Sequence, residues 1–409
     1  MNASDTEPRG ERRAGAGSAL EVWAVFLKLG LSSFGGPIAH VSYFHRELIH
    51  RRRWLDETRY AQLVALCQSL PGPASSQLGF ALGMIRGRWL GALAAFVAFT
   101  TPSAVLLFAF ARVLPRLEQP YGQAVLHALK LVAVAVVAQG VLVMARRLTP
   151  DAPRALIAAA ACAVIALSAS PGAQLFVIFM GAALGLVFCR PAASASAPFE
   201  TGYRARTGTC LLGVFAILLL AAIAAQSNNG NASLVSIAAA FYRAGALVFG
   251  GGHVVLPLLQ QAVVAPGWVS THDFLAGYGA AQAVPGPMFS LAAFLGARLP
   301  DGHGGIVGAL VALAAIFLPG LLLISGALPL WRDFAARPRS LRALAGVNAA
   351  VVGLLAAALY SPVWTSAVRD PADFATVLVG FILLVATRSS VVIVLGWCIL
   401  ASAVRVWFA

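Results

Sequence analysis

Four glycine- and proline-rich breaks interrupt apolar stretches of this sequence, and they form two matched pairs. SSFGGP at Ser32–Pro37 is answered by FGGGH at Phe249–His253, and LPGPASS at Leu70–Ser76 by VPGPMF at Val284–Phe289. The chemistry this composition suits is anion binding by the backbone. Glycines take side chains away, so an oxyanion can reach amide N–H groups directly. Proline suits the first turn of a helix, so PGP ends one helix and starts the next. Each restart presents free N–H groups and the positive end of a helix dipole. Within a membrane, unwound backbone is tolerated only where it is buried in protein or lines a wet cavity. The candidate binding residues are therefore Gly35, Gly36, Pro37, Pro71, Gly72 and Pro73, and Gly250, Gly251, Gly252, Pro285, Gly286 and Pro287. The hydroxyls of Ser32, Ser33, Ser75 and Ser76 are candidates to replace an anion's hydration shell.

Charge and amide side chains near the breaks extend the set. Lys28 and Arg243 occupy equivalent places two turns before the glycines, where they either balance substrate charge or snorkel to the interface. His253 follows the triple glycine and is either a site residue or a satisfied core histidine. Gln68 and Gln282 each stand three places before a PGP, while Lys130, Gln139 and Asn348 are further polar residues in apolar segments. Of the carboxylates, only Glu21 and Asp273 approach the break-containing segments, each at an edge, and the others are read as lying in loops or tails. Since cation-coupled carriers keep carboxylates in the bundle, an anion pathway is favoured. Cys67, Cys162, Cys189, Cys210 and Cys398 are scattered and read as packing residues, and no His/Cys/Asp cluster has metal-ligand spacing. No metal and no cofactor is expected. With no dinucleotide fingerprint or haem CxxCH, a reductase is the weakest reading, and the chain is read as no enzyme.

The elements that position these residues are membrane helices. The 409-residue chain is 60% hydrophobic and 11% charged, with mean hydropathy +0.83, which fits a polytopic membrane protein. Its net charge of +14 reads mainly as cytoplasmic-loop arginine, and a positive field also suits an anionic cargo. The arginines lie in short loops rather than on one soluble face, so nucleic acid is no expected partner. The sequence repeats at a nearly constant spacing. Phe26 and Phe241 are 215 residues apart, Pro71 and Pro285 are 214 apart, and Pro102 and Pro319 are 217 apart. Each half is expected to hold two interrupted segments, 20–44 and 60–84 in the first and 236–260 and 273–297 in the second. Four helices follow in each half, at 89–111, 123–145, 153–168 and 172–189, then 304–330, 341–360, 372–387 and 389–408. The predicted organisation is a disordered polar N-terminus at 1–19 and a first repeat at 20–189. A linker with one connecting helix (210–226) fills 190–232, and the second repeat covers 233–409.

Full spanning of the interrupted segments gives thirteen crossings and re-entry gives nine. Re-entry places Arg51–Arg53, Arg86, Arg88, Arg146 and Arg147 on the inner side, as the positive-inside rule requires. Either count makes the halves inverted. The fold class is thus an all-α polytopic membrane protein of two inverted homologous halves, with interrupted or re-entrant helices and one connecting helix. A repeat interrupted at matching points is the usual sequence pointer to a transporter's binding site.

The blocks FGGPIAHVSYFHRELIHRRRWLDETRYAQLVALCQSLPGPASSQLGFALG, FGGGHVVLPLLQ, GWVSTHDFLAGYGAAQAVPGP and NAAVVGLLAAALYSPVWTSA resemble the chromate ion transporter family in its long, two-domain form. The resemblance runs from about residue 20 to the end. It implies efflux of chromate across the cell inner membrane and hence chromate resistance, with sulfate as a related oxyanion, and it carries the family's motif onto the FGG and PGP residues above. Physics favours the same direction, because a dianion leaving a negative-inside cell gains about 4.6 kcal/mol per 100 mV. The expected mechanism is a dianion held where the four breaks converge, with rocking of the inverted halves alternating access. Expected partners are chromate, sulfate and the lipid bilayer, and a homodimer is left open. An oxyanion importer and an anion channel remain alternatives.

Overall fold

The computed structural model describes residues 18–34, 36–118, 120–168, 173–190, 199, 203–225, 233–249, 255–300, 302–331, 337–387 and 389–408. Every regular element among them is helical. Most of the expected N-terminal segment, 1–17, lies outside the described residues, as do Gly35, Gly250, Gly251, Gly252 and His253.

The first half opens with α1 (Ala19–Ser32), capped by the Ser18 hydroxyl accepting from the Glu21 amide. After the FGG break comes α2 (Gly36–Phe44), which runs on as a π-helical turn, His45–Arg51. The segment expected to end at 44 therefore continues to Arg51. α3 (Glu57–Ser69) is capped by Asp56 and runs up to the PGP break. α4 (Ala74–Val113) leaves that break and reverses at Gly87 and Arg88, whose dihedrals are non-helical. Its two arms touch where a Cβ on Gly83 would lie 2.5 Å from the Gly91 carbonyl oxygen. α5 (Pro120–Leu148), α6 (Ala152–Leu167) and α7 (Ala173–Phe188) complete the half.

The connecting helix α8 is Ala205–Ala224, five residues earlier than its expected start. Gly208, read as linker, instead packs on Gly326 and Pro329. The second half repeats the first. It contains α9 (Leu234–Ala246), α10 (Val255–Leu259) with a π-turn at Gln260–Val264, α11 (Thr271–Ala283), α12 (Leu291–Ala297) and α13 (Gly305–Ala327). Then come α14 (Pro338–Ala358), α15 (Pro371–Val385) and α16 (Val391–Phe408).

Side-chain contacts show that the interrupted segments fold back as hairpins. Arg86, at the end of α4's first arm, donates to Glu21 at the start of α1 (3.2 Å). Its guanidinium also lies 5.5 Å from the ring centre of Trp54, just before α3. Residues 21, 54 and 86 thus share one end of the molecule. In the second half Arg298, which ends α12, donates to Asp273 in the first turn of α11 (2.7 Å).

The halves interlock. α5 packs on α11, α15 and α16 of the second half, and its equivalent α14 packs on α6 and α7 of the first. Small residues allow the close approach that membrane helices use in place of a hydrophobic drive. Gly181 and Gly185 of α7 face Gly346 of α14, Gly353 of α14 meets the Ala158 carbonyl of α6, and Gly279 of α11 meets the Leu129 carbonyl of α5. Leu131–Val137 of α5 are buried without interruption, so this helix is core on every side. Among the described residues, five helices are long and apolar enough to cross a membrane, at 74–116, 122–148, 205–224, 305–330 and 338–367. Leu90, Val105, Phe179, Leu220, Ile306 and Leu310 are exposed on the outside, as expected of a surface whose solvent is lipid. The chain is a multi-pass membrane protein.

Two expectations about carboxylates need correction. Glu47, assigned to a loop by the sequence, is buried because the π-turn extends the hairpin, and it accepts from Arg51 (3.3 Å) and Arg52 (3.0 Å). Asp373, likewise read with the carboxylates of loops and tails, is buried at the start of α15. It accepts from His127 of α5 (2.7 Å) and Arg405 of α16 (2.6 Å). Carboxylates do enter the bundle, each already matched by cations.

Candidate functional site

The breaks are joined crosswise. Gly72, in the PGP of the first half, donates its amide to the Val248 carbonyl, at the edge of the second half's FGG break (2.7 Å). Gly286, in the second PGP, donates to the Ser33 carbonyl at the edge of the first FGG break (3.0 Å). The two bonds are equivalent under the repeat. Both glycines hold positive φ, +120° at Gly72 and +104° at Gly286, which other residues adopt only under strain. A Cβ on Gly72 would lie 2.9 Å from the Gly320 Cα, and one on Gly286 would lie 2.9 Å from the Ser103 Oγ. Gly320 and Ser103 each follow the proline inside α13 and α4, so the third repeated motif, at Pro102 and Pro319, forms the other wall of each PGP turn.

Around this crossing lie buried polar atoms without partners. The Oγ of Ser33, Oγ of Ser76, Oγ1 of Thr100, Oε1 of Gln77 and Nδ1 of His40 make no hydrogen bond, and all five residues are buried. Buried polar groups are normally satisfied, so a cluster of orphans marks a place for water or a polar ligand. His40 is tied to the crossing itself. Its Nε2 is 3.2 Å from the Ser33 carbonyl, which can only accept, so Nε2 carries the proton and Nδ1 is left with a free lone pair. That carbonyl therefore receives both His40 and Gly286.

A repeat asymmetry explains why the first half holds more of these orphans. Ser76 and Ser290 are equivalents. The Ser103 Oγ donates to the Thr100 carbonyl (3.0 Å), which leaves Ser290 to donate to Ser103 (2.7 Å). In the first half's turn the counterpart of Ser103 is Gly320, which has no hydroxyl to offer, and the Ser76 Oγ is left without a partner. Gln77 takes part of that space instead, donating Nε2 to the carbonyls of Pro71 (2.9 Å) and Gly320 (3.1 Å). α4 begins at this point without a side-chain cap on Pro73. Gly36, the first residue of α2, has φ +74° and open space where a Cβ would stand.

Not every sequence candidate reaches the crossing. Ser33, Pro71, Gly72, Pro73, Ser75, Ser76, Pro285, Gly286 and Pro287 lie in or beside it, and Pro37 is the second residue of α2. Ser32 is exposed and donates to the Lys28 carbonyl of its own helix (2.8 Å). Lys28 is exposed as well, with its ammonium 3.7 Å from Glu47. Its counterpart Arg243 is half-buried and donates to the Ala222 carbonyl at the end of α8 (2.8 Å). Gln68 accepts from Arg147 (2.7 Å), and Gln282 is buried against the Met288 sulfur (2.8 Å). Sequence reasoning missed His40, Gln77, Thr100, Ser103 and Ser290. Position relative to the breaks was the available signal for His40, which follows Pro37 by three residues.

A family comparison decides what this duplicated arrangement is. Residues 20–186 and 235–403 each match the family described as chromate transporter, one match per half. The chain belongs to the chromate transporter family. A probable chromate transport protein of Synechococcus elongatus is 30% identical over 88% of each chain. A chromate transport protein of Cupriavidus metallidurans is 28% identical over 87% of this chain and 84% of its own. An uncharacterised transporter of Methanocaldococcus jannaschii is 24% identical over 81% of each. No solved structure matches the chain. Within the family match, both copies contain an FGG break, a PGP break and the following proline helix, the three elements that meet at the crossing.

Proposed function

We propose that this chain is a secondary transporter that exports chromate across the cell inner membrane, with sulfate competing as a related tetrahedral oxyanion. The observation that carries the reading is the crosswise bonding of the breaks, with its shell of unpartnered buried polar atoms. An oxyanion bound there is held by the start of α4, the α2 entrance at Gly36, and the hydroxyls of Ser33, Ser76 and Thr100. Ser75 belongs to the same cradle, and the sequence candidates Gly35, Gly250, Gly251, Gly252 and His253 lie outside the described residues. Lys28 and Arg243 contribute charge from a distance rather than contact. Chromate as cargo rests on family membership and on the names of the relatives, and the outward direction on the voltage gain of a departing dianion.

The hairpin contacts favour re-entry of the interrupted segments, which leaves nine crossing helices: α4's second arm, α5, α6, α7, α8, α13, α14, α15 and α16. The interlocked packing of α5 and α14 changes the expected motion. Sequence halves that hold each other's helices do not rock as two bodies, so the moving parts each draw on both halves. Hinge and shear of packed helices about the four breaks is the matching class of change.

Radiolabelled chromate uptake into everted inner-membrane vesicles tests the function, with and without excess sulfate. Saturable accumulation above control vesicles, inhibited by sulfate, is the expected result. Conduction without saturation would make the chain a channel. Absence of uptake by verifiably folded protein would remove chromate as the cargo.

A further inference from the structure

His45, His50 and Glu57 have the ligand types of a transition-metal site but not the spacing of a familiar motif. Five residues separate the histidines, which on an α-helix puts them about 140° apart. The chain solves this with the π-turn at His45–Arg51, whose i→i+5 hydrogen bonding stacks position 50 over position 45. The two rings meet edge-to-face with centroids 4.5 Å apart. Glu57, in the first turn of α3, closes the third side. One carboxylate oxygen lies 2.6 Å from His45 Nε2 and the other 3.7 Å from His50 Nε2. All three ligand atoms fall within 4.8 Å of one another. Linear spacing gave no sign of this cluster, because the π-turn creates proximity that spacing along the sequence does not reveal.

From this geometry we propose that His45, His50 and Glu57 bind one divalent transition-metal ion of the zinc class at the arginine-rich end of the first hairpin. Ligand atoms on a tetrahedral zinc stand about 3.3 Å apart, given bonds of roughly 2.0–2.1 Å. The separations of His45 and His50 from the two oxygens of Glu57, 2.6 and 3.7 Å, bracket that value, so the first pair must open and the second close for the site to form. Two imidazoles and one carboxylate with water in the fourth place suit zinc or nickel and do not suit magnesium, which prefers oxygen alone. Tyr60 packs on His45, with ring centroids 5.2 Å apart, and anchors its hydroxyl to the Val41 carbonyl, so one ligand is held from behind. His50 and Glu57 are exposed, which leaves the site open to ions from water.

Two features set the limits of this site. The equivalent π-turn at Gln260–Val264 belongs to the shared architecture, yet residues 260, 265 and 272 there are Gln, Ala and His, so the ligand set is peculiar to the first half. The neighbouring cations weaken the field for a metal, although Arg51, Arg52 and Lys28 are engaged by the buried Glu47 and Arg59 faces Asp56. Affinity below that of a four-ligand structural zinc site is therefore expected. Bound metal would tie the end of α2 to the start of α3 across the turn between them.

The test uses the full chain purified in detergent without a polyhistidine tag, stripped with chelator and titrated with zinc by calorimetry. One zinc per chain is expected, with a rise in the thermal unfolding midpoint and no competition from excess magnesium. His45→Ala, His50→Ala and Glu57→Gln should each weaken binding at least about tenfold, since even the outer partners of metal ligands are worth that much. His303→Ala, in a distant loop, should bind as wild type and serves as the folding control. No saturable zinc binding by folded wild type would overturn the site and leave His45 and Glu57 as an ordinary ion pair. Equal affinity in the His45→Ala/His50→Ala double variant would overturn it too. Because the readout is binding rather than transport, its failure says nothing about the cargo.

Discussion

The amide of Gly72 lies 2.7 Å from the carbonyl of Val248, and through that bond the PGP turn of one half is secured to the FGG break of the other. Its repeat partner, Gly286 to Ser33, does the same in reverse. Alanine at either glycine must adopt positive φ, at a cost of about 1–2 kcal/mol before any clash. At Gly72 the new methyl meets the Gly320 Cα, which is backbone, as well as the Gln77 side chain, whereas at Gly286 its nearest neighbour is the Ser103 side chain. Gly72→Ala should therefore lower the thermal midpoint more than Gly286→Ala, and both should reduce chromate uptake. Ser103→Gly should partly rescue Gly286→Ala and leave Gly72→Ala unrelieved. Equal losses without rescue would show that the φ requirement alone, not the wall of the turn, governs these positions.

The orphaned hydroxyls give a test that separates binding from folding. Removing a buried polar group that has no partner is nearly neutral or stabilising, since its desolvation cost disappears with it. Ser33→Ala, Ser76→Ala and Thr100→Val should thus keep or raise the unfolding midpoint while raising KM for chromate uptake. Ser290→Ala is the contrast, because it breaks a made bond to Ser103 and should cost about 1 kcal/mol of stability. Unchanged KM in all three orphan variants would remove the hydroxyls from the site.

Much of this was legible in the sequence because repetition and helix breakers are local signals. The breaks, the helices and the inverted pairing follow from glycine, proline, arginine and apolar run length. Partnership is not a local signal. Nothing in the string says that Lys28 faces Glu47 while its counterpart Arg243 reaches the end of α8, although the two were read as one matched pair. Glu47 and Asp373 read as loop or tail residues because their burial comes from a π-turn and from helices 246 positions away or near the C-terminus. The Ser76 orphan was likewise invisible, since the residue equivalent to Ser103 on the opposite half is Gly320, which offers no hydroxyl.

Those different partners predict different costs. Lys28 is exposed and its partner Glu47 keeps Arg51 and Arg52 without it, so the Lys28 pair contributes about 0–1 kcal/mol, as for surface pairs. Arg243 makes a charged hydrogen bond to a helix-terminal carbonyl, a class of bond worth about 1.5–3 kcal/mol. Arg243→Gln should therefore destabilise the protein clearly, while Lys28→Gln should leave its unfolding midpoint near wild type. If both contribute charge to anion attraction, uptake falls in each variant, and more steeply at low ionic strength where long-range fields are unscreened. Wild-type uptake by the folded double variant would show that these cations serve the fold alone.

Interlocking makes a further prediction about the halves. In lipid, apolar surface gains little from burial, so exposing Leu131–Val137 of α5 would not by itself prevent a half from folding. Polar groups decide the matter. Separation would strip Asp373 of His127, would leave the Gly72 and Gly286 amides and the Val248 carbonyl without these partners, and would leave the Ser33 carbonyl with His40 alone. Each unsatisfied group in the membrane interior costs several kcal/mol. Residues 1–190 and 191–409, expressed separately, should each be protease-sensitive and inactive, and co-expression should restore both protection and chromate uptake. A first half that resists protease and transports alone would mean that the crosswise bonds are dispensable, and the site would then have to be sought within a single repeat.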